Sequence, residues 1–307
     1  MNSRRTLAVL VIVGVLVAGA GLTAGATTYG LFSAADTGTG SIQAAASFDV
    51  PGDGPCVDAD GNGQCGPGDI PVDADDLTTF DNDSADLLIP ESVGDIDNGN
   101  SEISITANNI TSEVDIETKT RDISLDAGSG GIHFGGSNVT IDGGSGSVNI
   151  NSEGDVNLSG SRISTKTAGV QISSNGHLNI DYATIDGRES NQPIDLSGKT
   201  ISARYAAITN KNGEMILSAT NNNGGELDAT GATIESRAKN GKLSGASITV
   251  ESTGTMVLNQ TELRVKQTAS VEAYIGSTDA VLYTDGIVVV DDDDALYYEP
   301  AGVTRRP

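Results

Sequence analysis

The chain has no tryptophan, four phenylalanines and three methionines in 307 residues. Bulky side chains of this kind fill a round globular core, so a thick core is excluded and a thin one of Val, Ile and Leu is expected. Basic residues are scarce as well. Lys and Arg total 17 against 42 Asp and Glu, a net charge of -25. Such a surface repels phosphates, which argues against nucleic acid as a partner. Two situations suit it. One is a surface kept soluble in very high salt, where screening removes the self-repulsion. The other is a surface that holds divalent cations. With two Cys and two distant His, the residues for a zinc site are also lacking. What the chain has in quantity is glycine, 39 residues of it, set in a regular beat with Asn, Ser and Asp.

The first 26 residues stand apart from that beat. Arg4 and Arg5 precede an uncharged run, residues 7–26, and Ala24, Gly25 and Ala26 have the small-x-small form of a signal-peptidase site. "SRRTL" resembles a twin-arginine export signal. The run is long enough to span a bilayer if uncut, so 1–26 is expected to be a signal peptide or a membrane anchor. Either way the rest of the chain lies outside the cell, because the Arg pair stays in the cytoplasm. The low Lys and Arg content with acids spread throughout resembles proteins of halophilic archaea. The stretch "TTYGLFSAADTGTGSIQAA" resembles the start of mature TasA- and camelysin-type exported proteins, with Ala34 and Ala35 where that family usually carries an acidic pair. This resemblance implies export and fibre assembly. Residues 27–101 read as an acidic, loop-rich linker with five of the eight prolines, Pro51, Pro55, Pro67, Pro71 and Pro90.

From residue 102 to 290 apolar residues come as i, i+2 pairs, the period of a strand with one buried face, separated by turn residues. Most intervening segments lack the Asn-Gly or Asp-Gly of tight hairpins, which argues against a meander. Val156, Leu178, Ile201, Leu227, Val250 and Val271 recur 21 to 26 residues apart. Three strands and three corners make about 22 residues, one coil of a right-handed parallel β-helix, an all-β solenoid. "GSVNINSEGDVNLSGSRISTKTAGVQIS" resembles the repeats of filamentous-haemagglutinin-type adhesins, which implies the same fold. "LSATNNNGGELDATG" reads as a loosened coil with a protruding loop at residues 221–225. "AYIGSTDAVLYTDGIVVVDDDDALYYEP", with Tyr274, Tyr283, Tyr297 and Tyr298, reads as a cap over the last rung, and 291–307 as an acidic tail.

The strongest local motif is "DADGNGQCGPGD". Asp58, Asp60 and Asn62 fall at positions 1, 3 and 5 of a calcium loop, Gly63 at 6, Gln64 at 7 and Asp69 at 12, the spacing of an EF-hand or dockerin-type loop for Ca²⁺. Position 12 is Asp rather than a bidentate Glu, and the prolines oppose flanking helices. Cys56 and Cys65 lie in the same stretch and are expected to form a disulfide outside the cell. An acidic loop pinned by that disulfide, without metal, is the alternative. The aspartate run 291–294 is expected to be a solvated turn.

Catalytic signals are sparse. His133 and His177 lack a nucleophile motif and read as surface rung residues. Asp181 and Asp186 around Tyr182, with Arg188 and Arg204 within a coil, form the best place for a polysaccharide lyase or hydrolase. Exposed aromatics favour sugars, and Tyr182 and Tyr205 lie mid-solenoid. N-x-Ser/Thr sequons at Asn82, Asn109, Asn138, Asn157 and Asn259 are candidate glycosylation sites. The expected function is a non-enzymatic exported structural protein in adhesion or matrix. Its partners would be itself, cell-surface glycans, or the membrane through an uncleaved N-terminus. A β-helix enzyme on polysaccharide and a self-assembling filament subunit are the alternatives.

Overall fold

The computed structural model describes residues 54–135, 139–222, 224–236 and 247–264, and the backbone of the strands Val271–Ile275, Val281–Tyr283, Val288–Val290, Leu296–Tyr298 and Thr304–Arg306. The expected signal or anchor, 1–26, the start of the linker and the aspartate run 291–294 lie outside these residues. Among the described residues no helix is long and apolar enough to cross a membrane.

Alternation of apolar and polar residues makes each strand two-faced, and a closed stack of coils buries every apolar face. Each coil gives three short parallel strands, one to each of three faces. On the first face Ile103, Ile123, Val148, Val170, Ile194, Met215 and Ile248 pair in series. On the second the series is Leu87, Ile110, Ile132, Val156, Leu178, Ile201, Leu227 and Met256. On the third it is Ile96, Ile116, Ile141, Ile163, Ile185, Ile208, Ile234 and Leu263. All these side chains are buried, in one continuous cluster. Each fully buried Ile or Leu contributes about 2 kcal/mol of transfer free energy.

The parallel β-solenoid is thus the fold, and its coils vary in length. Ile141, Ile163 and Ile185 are 22 residues apart, whereas Ile234 and Leu263 are 29 apart. That longer coil corrects the sequence register. Val250 and Val271 do not continue the line of Val156, Leu178, Ile201 and Leu227. Val250 pairs with Leu217 and Val271 with Ile248, both on the first face, and Leu227 pairs with Met256. A fixed period carried past an insertion lands on the wrong face.

Parallel pairing also starts before residue 102. Asp81–Ile89 pairs with Ile103–Ser112, and Ile96–Asp97 with Ile116–Glu117. The first half of Asp81–Ile89 is exposed and polar, which hides the strand period from sequence; Ala85, Leu87, Leu88 and Ile89 are buried. The free edge of this first rung is covered at Leu87 and Leu88. Cys56–Val57 pairs antiparallel with Leu87 and Leu88 on one side and with Ile70–Pro71 on the other. The 3₁₀ helix Ala74–Thr79, capped by the Asp73 carboxylate on the Asp75 N–H, adds fully buried Leu77 to the core. At the other end, the segment expected to cap the last rung carries more strands of the same ladder, Val271–Ile275 through Thr304–Arg306, all in parallel pairs. The loop expected to protrude at 221–225 is tied down. Thr253 Oγ1 accepts from the N–H groups of Asn221 and Gly225 and donates to the Asn221 carbonyl.

Candidate functional site

The calcium-type loop is the connection between the two antiparallel strands of the end cap. Cys56 and Cys65 are disulfide-bonded, with Cα atoms 5.7 Å apart, which closes the base of the loop. Inside it Asp58 Oδ1 accepts from the N–H of Gly61 at 2.7 Å and of Asn62 at 3.2 Å, and Oδ2 from Gly63 at 2.8 Å. Gly61 and Gly63 hold φ of +73° and +75°, a region that side-chain-bearing residues resist, so the tight turn needs glycine at both. Asp69 reaches back, accepting from Ala59 at 2.9 Å and Gly66 at 2.8 Å. Asp60 accepts from the N–H and the Nδ2 of Asn62, and Asn62 Oδ1 accepts from the Gln64 N–H.

The result is convergence. One carboxylate oxygen each from Asp58, Asp60 and Asp69 lie within 4.8 Å of one another. Of the five expected ligands, Asp58, Asp60 and Asp69 meet. Asn62 joins through Asp60, and Gln64 is exposed and tied in through its N–H. Slight burial pushes the Asp58 carboxyl up, but the N–H groups of Gly63, Gly61 and Asn62 and a hydrogen bond with Asp60 outweigh it and hold the group below the ordinary carboxylate value. Three converging carboxylates offer the oxygen donors a hard divalent cation takes.

The second region is mid-solenoid. The residues considered for polysaccharide cleavage separate into two ion-paired groups. Asp181 is buried at the corner between the second and third faces. Its Oδ1 accepts from Ser202 Oγ at 2.7 Å and the Arg204 N–H at 2.8 Å, and its Oδ2 from Arg204 Nε at 2.8 Å and from Arg204 Nη2. Burial alone would raise this carboxyl, but the Arg204 and Ser202 bonds hold it below its ordinary value. Asp186 lies on the third face. Arg188 bridges it, at 3.8 Å, to Asp142, at 3.5 Å, and donates to Ser164 Oγ between them; Arg162 is 3.8 Å from Asp186. These arginines staple successive coils.

The remaining candidates are spread out. His133 is half-buried with Nε2 3.2 Å from the Gly130 carbonyl, and exposed His177 has Nδ1 2.7 Å from Thr200 Oγ1. Of the sequons, Asn82 is exposed, and Asn157 and Asn259 are half-buried. Asn109 sits at the irregularity in its strand with Oδ1 buried and without a hydrogen-bond partner, and Asn138 lies outside the described residues.

Sequence reasoning did not foresee the paired rings of Tyr182 and Tyr205. They stack with centroids 5.2 Å apart and planes 18° apart, exposed by 64% and 52%. The signal was present: two tyrosines 23 residues apart, one coil length, each follow the corner pattern apolar-x-Tyr-Ala, Ile180-Asp181-Tyr182-Ala183 and Ala203-Arg204-Tyr205-Ala206. No family model, curated protein or solved structure matches the chain.

Proposed function

We propose that the chain is an exported, non-enzymatic protein of the cell surface or extracellular matrix, whose solenoid is a scaffold for adhesion. In this reading the N-terminal segment is a signal or anchor, the acidic surface serves a high-salt milieu, and the exposed sequons carry glycans. The loop of Asp58, Asp60, Asn62, Gln64 and Asp69 takes Ca²⁺, which stiffens the end cap.

One observation carries the choice of scaffold over enzyme. Asp181, the buried acid of the mid-solenoid pair, is taken up by structural bonds, and Asp186 is flanked by Arg162 and Arg188. Asp181 accepts four hydrogen bonds and is held ionised by Arg204, so it is poorly suited to give or take a proton. The disulfide supports the extracellular reading, since reducing compartments keep such thiols apart. The antiparallel strand over the first rung supports a display scaffold over a filament that stacks through that end.

Protease treatment of intact cells tests location, and incubation with polysaccharides tests chemistry. The reading expects digestion from outside and no new reducing ends. Protection in intact cells, or sustained release of reducing ends, would overturn it. Light scattering in molar salt should report a monomer; growing particles would favour the filament subunit.

A further inference from the structure

The corner between the second and third faces repeats once per coil. Gly160, Tyr182, Tyr205, Gly231 and Gln260 occupy equivalent places in it, with φ between +55° and +73°. Each is the third residue of a turn closed three residues on, as in Ala183 N–H to the Ile180 carbonyl and Ala206 N–H to the Ala203 carbonyl. Such a turn favours glycine or asparagine at its third residue, because an L side chain there crowds the following carbonyl, and Gln260 departs from that preference as the two tyrosines do. Two neighbouring coils obey with Gly160 and Gly231. The two between them carry tyrosine. Bulky residues held in this region are outliers that point toward function.

Exposure compounds the strain. Besides these two tyrosines, Ile70 is the sole large hydrophobic exposed among the described residues. The fold also makes room for the rings. A Cβ at Gly231 would come within 2.6 Å of Cδ1 and Cε1 of Tyr205, so glycine there lets the ring lie across the corner. Burial does not explain either tyrosine, and nor does turn chemistry.

The groups around the rings narrow the ligand. Asp181 and Arg204 neutralise each other, and the Asp181 oxygens are already taken by Ser202 and Arg204. No carboxylate of that pair is left for a cation. A polyanion is disfavoured by the net charge of -25. Half-exposed Arg204 keeps N–H donors beyond Nε and Nη2, and Asp228 holds the Thr230 hydroxyl one coil on. Flat aromatic faces beside a mutually neutralised Asp181–Arg204 pair and one further acceptor, the Asp228 carboxylate, match a neutral pyranose, whose C–H face is apolar and whose rim is hydroxyl. We infer that the Tyr182–Tyr205 stack, with Arg204 beside it, is a binding platform for a neutral hexopyranose glycan. This deepens the adhesion reading and rests on it for its biological meaning.

The test is titration of the purified full chain, in molar salt, with cellohexaose, mannohexaose, chitohexaose and hexagalacturonate. Calorimetry and tyrosine emission, unobscured because the chain has no tryptophan, report binding. The proposal expects saturable binding of at least one neutral hexasaccharide, and at least a tenfold loss in Tyr182→Gly/Tyr205→Gly. Glycine fits the turn, so this variant should melt no lower than the parent, which separates lost binding from lost fold. Arg204→Lys should weaken binding several-fold. Saturable binding of hexagalacturonate alone, no binding of any neutral sugar, or equal affinity in the double glycine variant would overturn the proposal. Pure sugars are used, so such a failure leaves the location and scaffold reading intact, and a failed location test leaves this measurement intact.

Discussion

Asp58 and Asp181 show how one residue type does different work in two surroundings. Asp58 is held by backbone N–H groups four to six positions into its own loop, so its role depends on local chain alone. That is why the convergence of Asp58, Asp60 and Asp69 was legible in sequence: their spacing and the turn glycines are written within twelve residues. If the loop takes Ca²⁺ with the millimolar-range affinity of extracellular modules, ten- to hundredfold excess ligand adds about 2 kcal/mol to stability. Thermal melts with 10 mM CaCl₂ against EDTA should therefore differ by several degrees, and Asp58→Ala should abolish the difference; identical melts in the parent would remove the calcium reading. Asp181 instead bonds Arg204 and Ser202, residues 23 and 21 positions away. Nothing local marks that pairing, so the ion pair was not legible in sequence. Asp181→Asn keeps the shape but loses the charge-assisted bonds, and should destabilise by about 2 kcal/mol in urea melts at pH 7. The sign with pH follows from its lowered native value. The contribution is complete above the ordinary 3.8 and is lost as pH falls through the native value, so the parent and variant curves should converge in acid.

Corners, more than strands, set the register of a coil. Ser152, Ser174 and Ser252 are buried where the first face turns into the second. Each accepts from the N–H two residues on, of Gly154, Gly176 and Gly254, and each donates to a carbonyl of the preceding coil, of Gly128, Gly154 and Gly225. A Ser-x-Gly corner thus satisfies a buried turn and locks two coils together. The strand period was legible because alternation is local, and so was the coil length where coils are uniform. The slip at Val250 came from trusting spacing across a 29-residue coil. Ser252-Thr253-Gly254 would have corrected it, since Val250 precedes Ser252 as Ile150 precedes Ser152 and Ile172 precedes Ser174. Stacked coils touch only their neighbours, so damage stays local at first. Cys56→Ala/Cys65→Ala opens a loop of nine-residue separation and should cost about 2.5 kcal/mol by the loop-entropy relation. Hydrogen exchange should rise along Asp81–Ile89 and Ile103–Ser112, under the cap, and stay unchanged in Ile194–Gly198 and Met215–Ala219. Uniform acceleration across all coils would mean that the cap is part of one global unit.

Stacking coils at about 4.8 Å turns every outward acid into part of a column, and this makes charge a property of the whole molecule. On the third face Glu117 stands between Asp97 and Asp142. Its burial, then repulsion from Asp142, Asp115, Asp97 and Asp95, raises its carboxyl above the ordinary 4.5. On the first face burial, then Glu214 and Glu251, raises Asp195 above 3.8. A carboxyl raised in the folded state destabilises when ionised. That penalty is complete above the native value and disappears as pH falls toward the ordinary one. From neutrality downward, stability should therefore rise until these groups are protonated, then fall as Asp58 and Asp181, whose native values are lowered, lose their charge. Salt should act in the same direction as the first limb. The screening length is about 10 Å at 0.1 M and about 3 Å at 1 M, so only molar salt shields one coil's acids from the next. With a net charge of -25 and Arg staples on few coils, the parent melting temperature at pH 7 should climb steadily from 0.1 M to 2 M KCl. Glu117→Gln/Asp195→Asn should start higher in 0.1 M KCl and climb less, because two of the strained charges are gone. Melts followed by circular dichroism decide it: a salt-independent midpoint in the parent, or parallel curves for parent and variant, would place the repulsion elsewhere than in these columns.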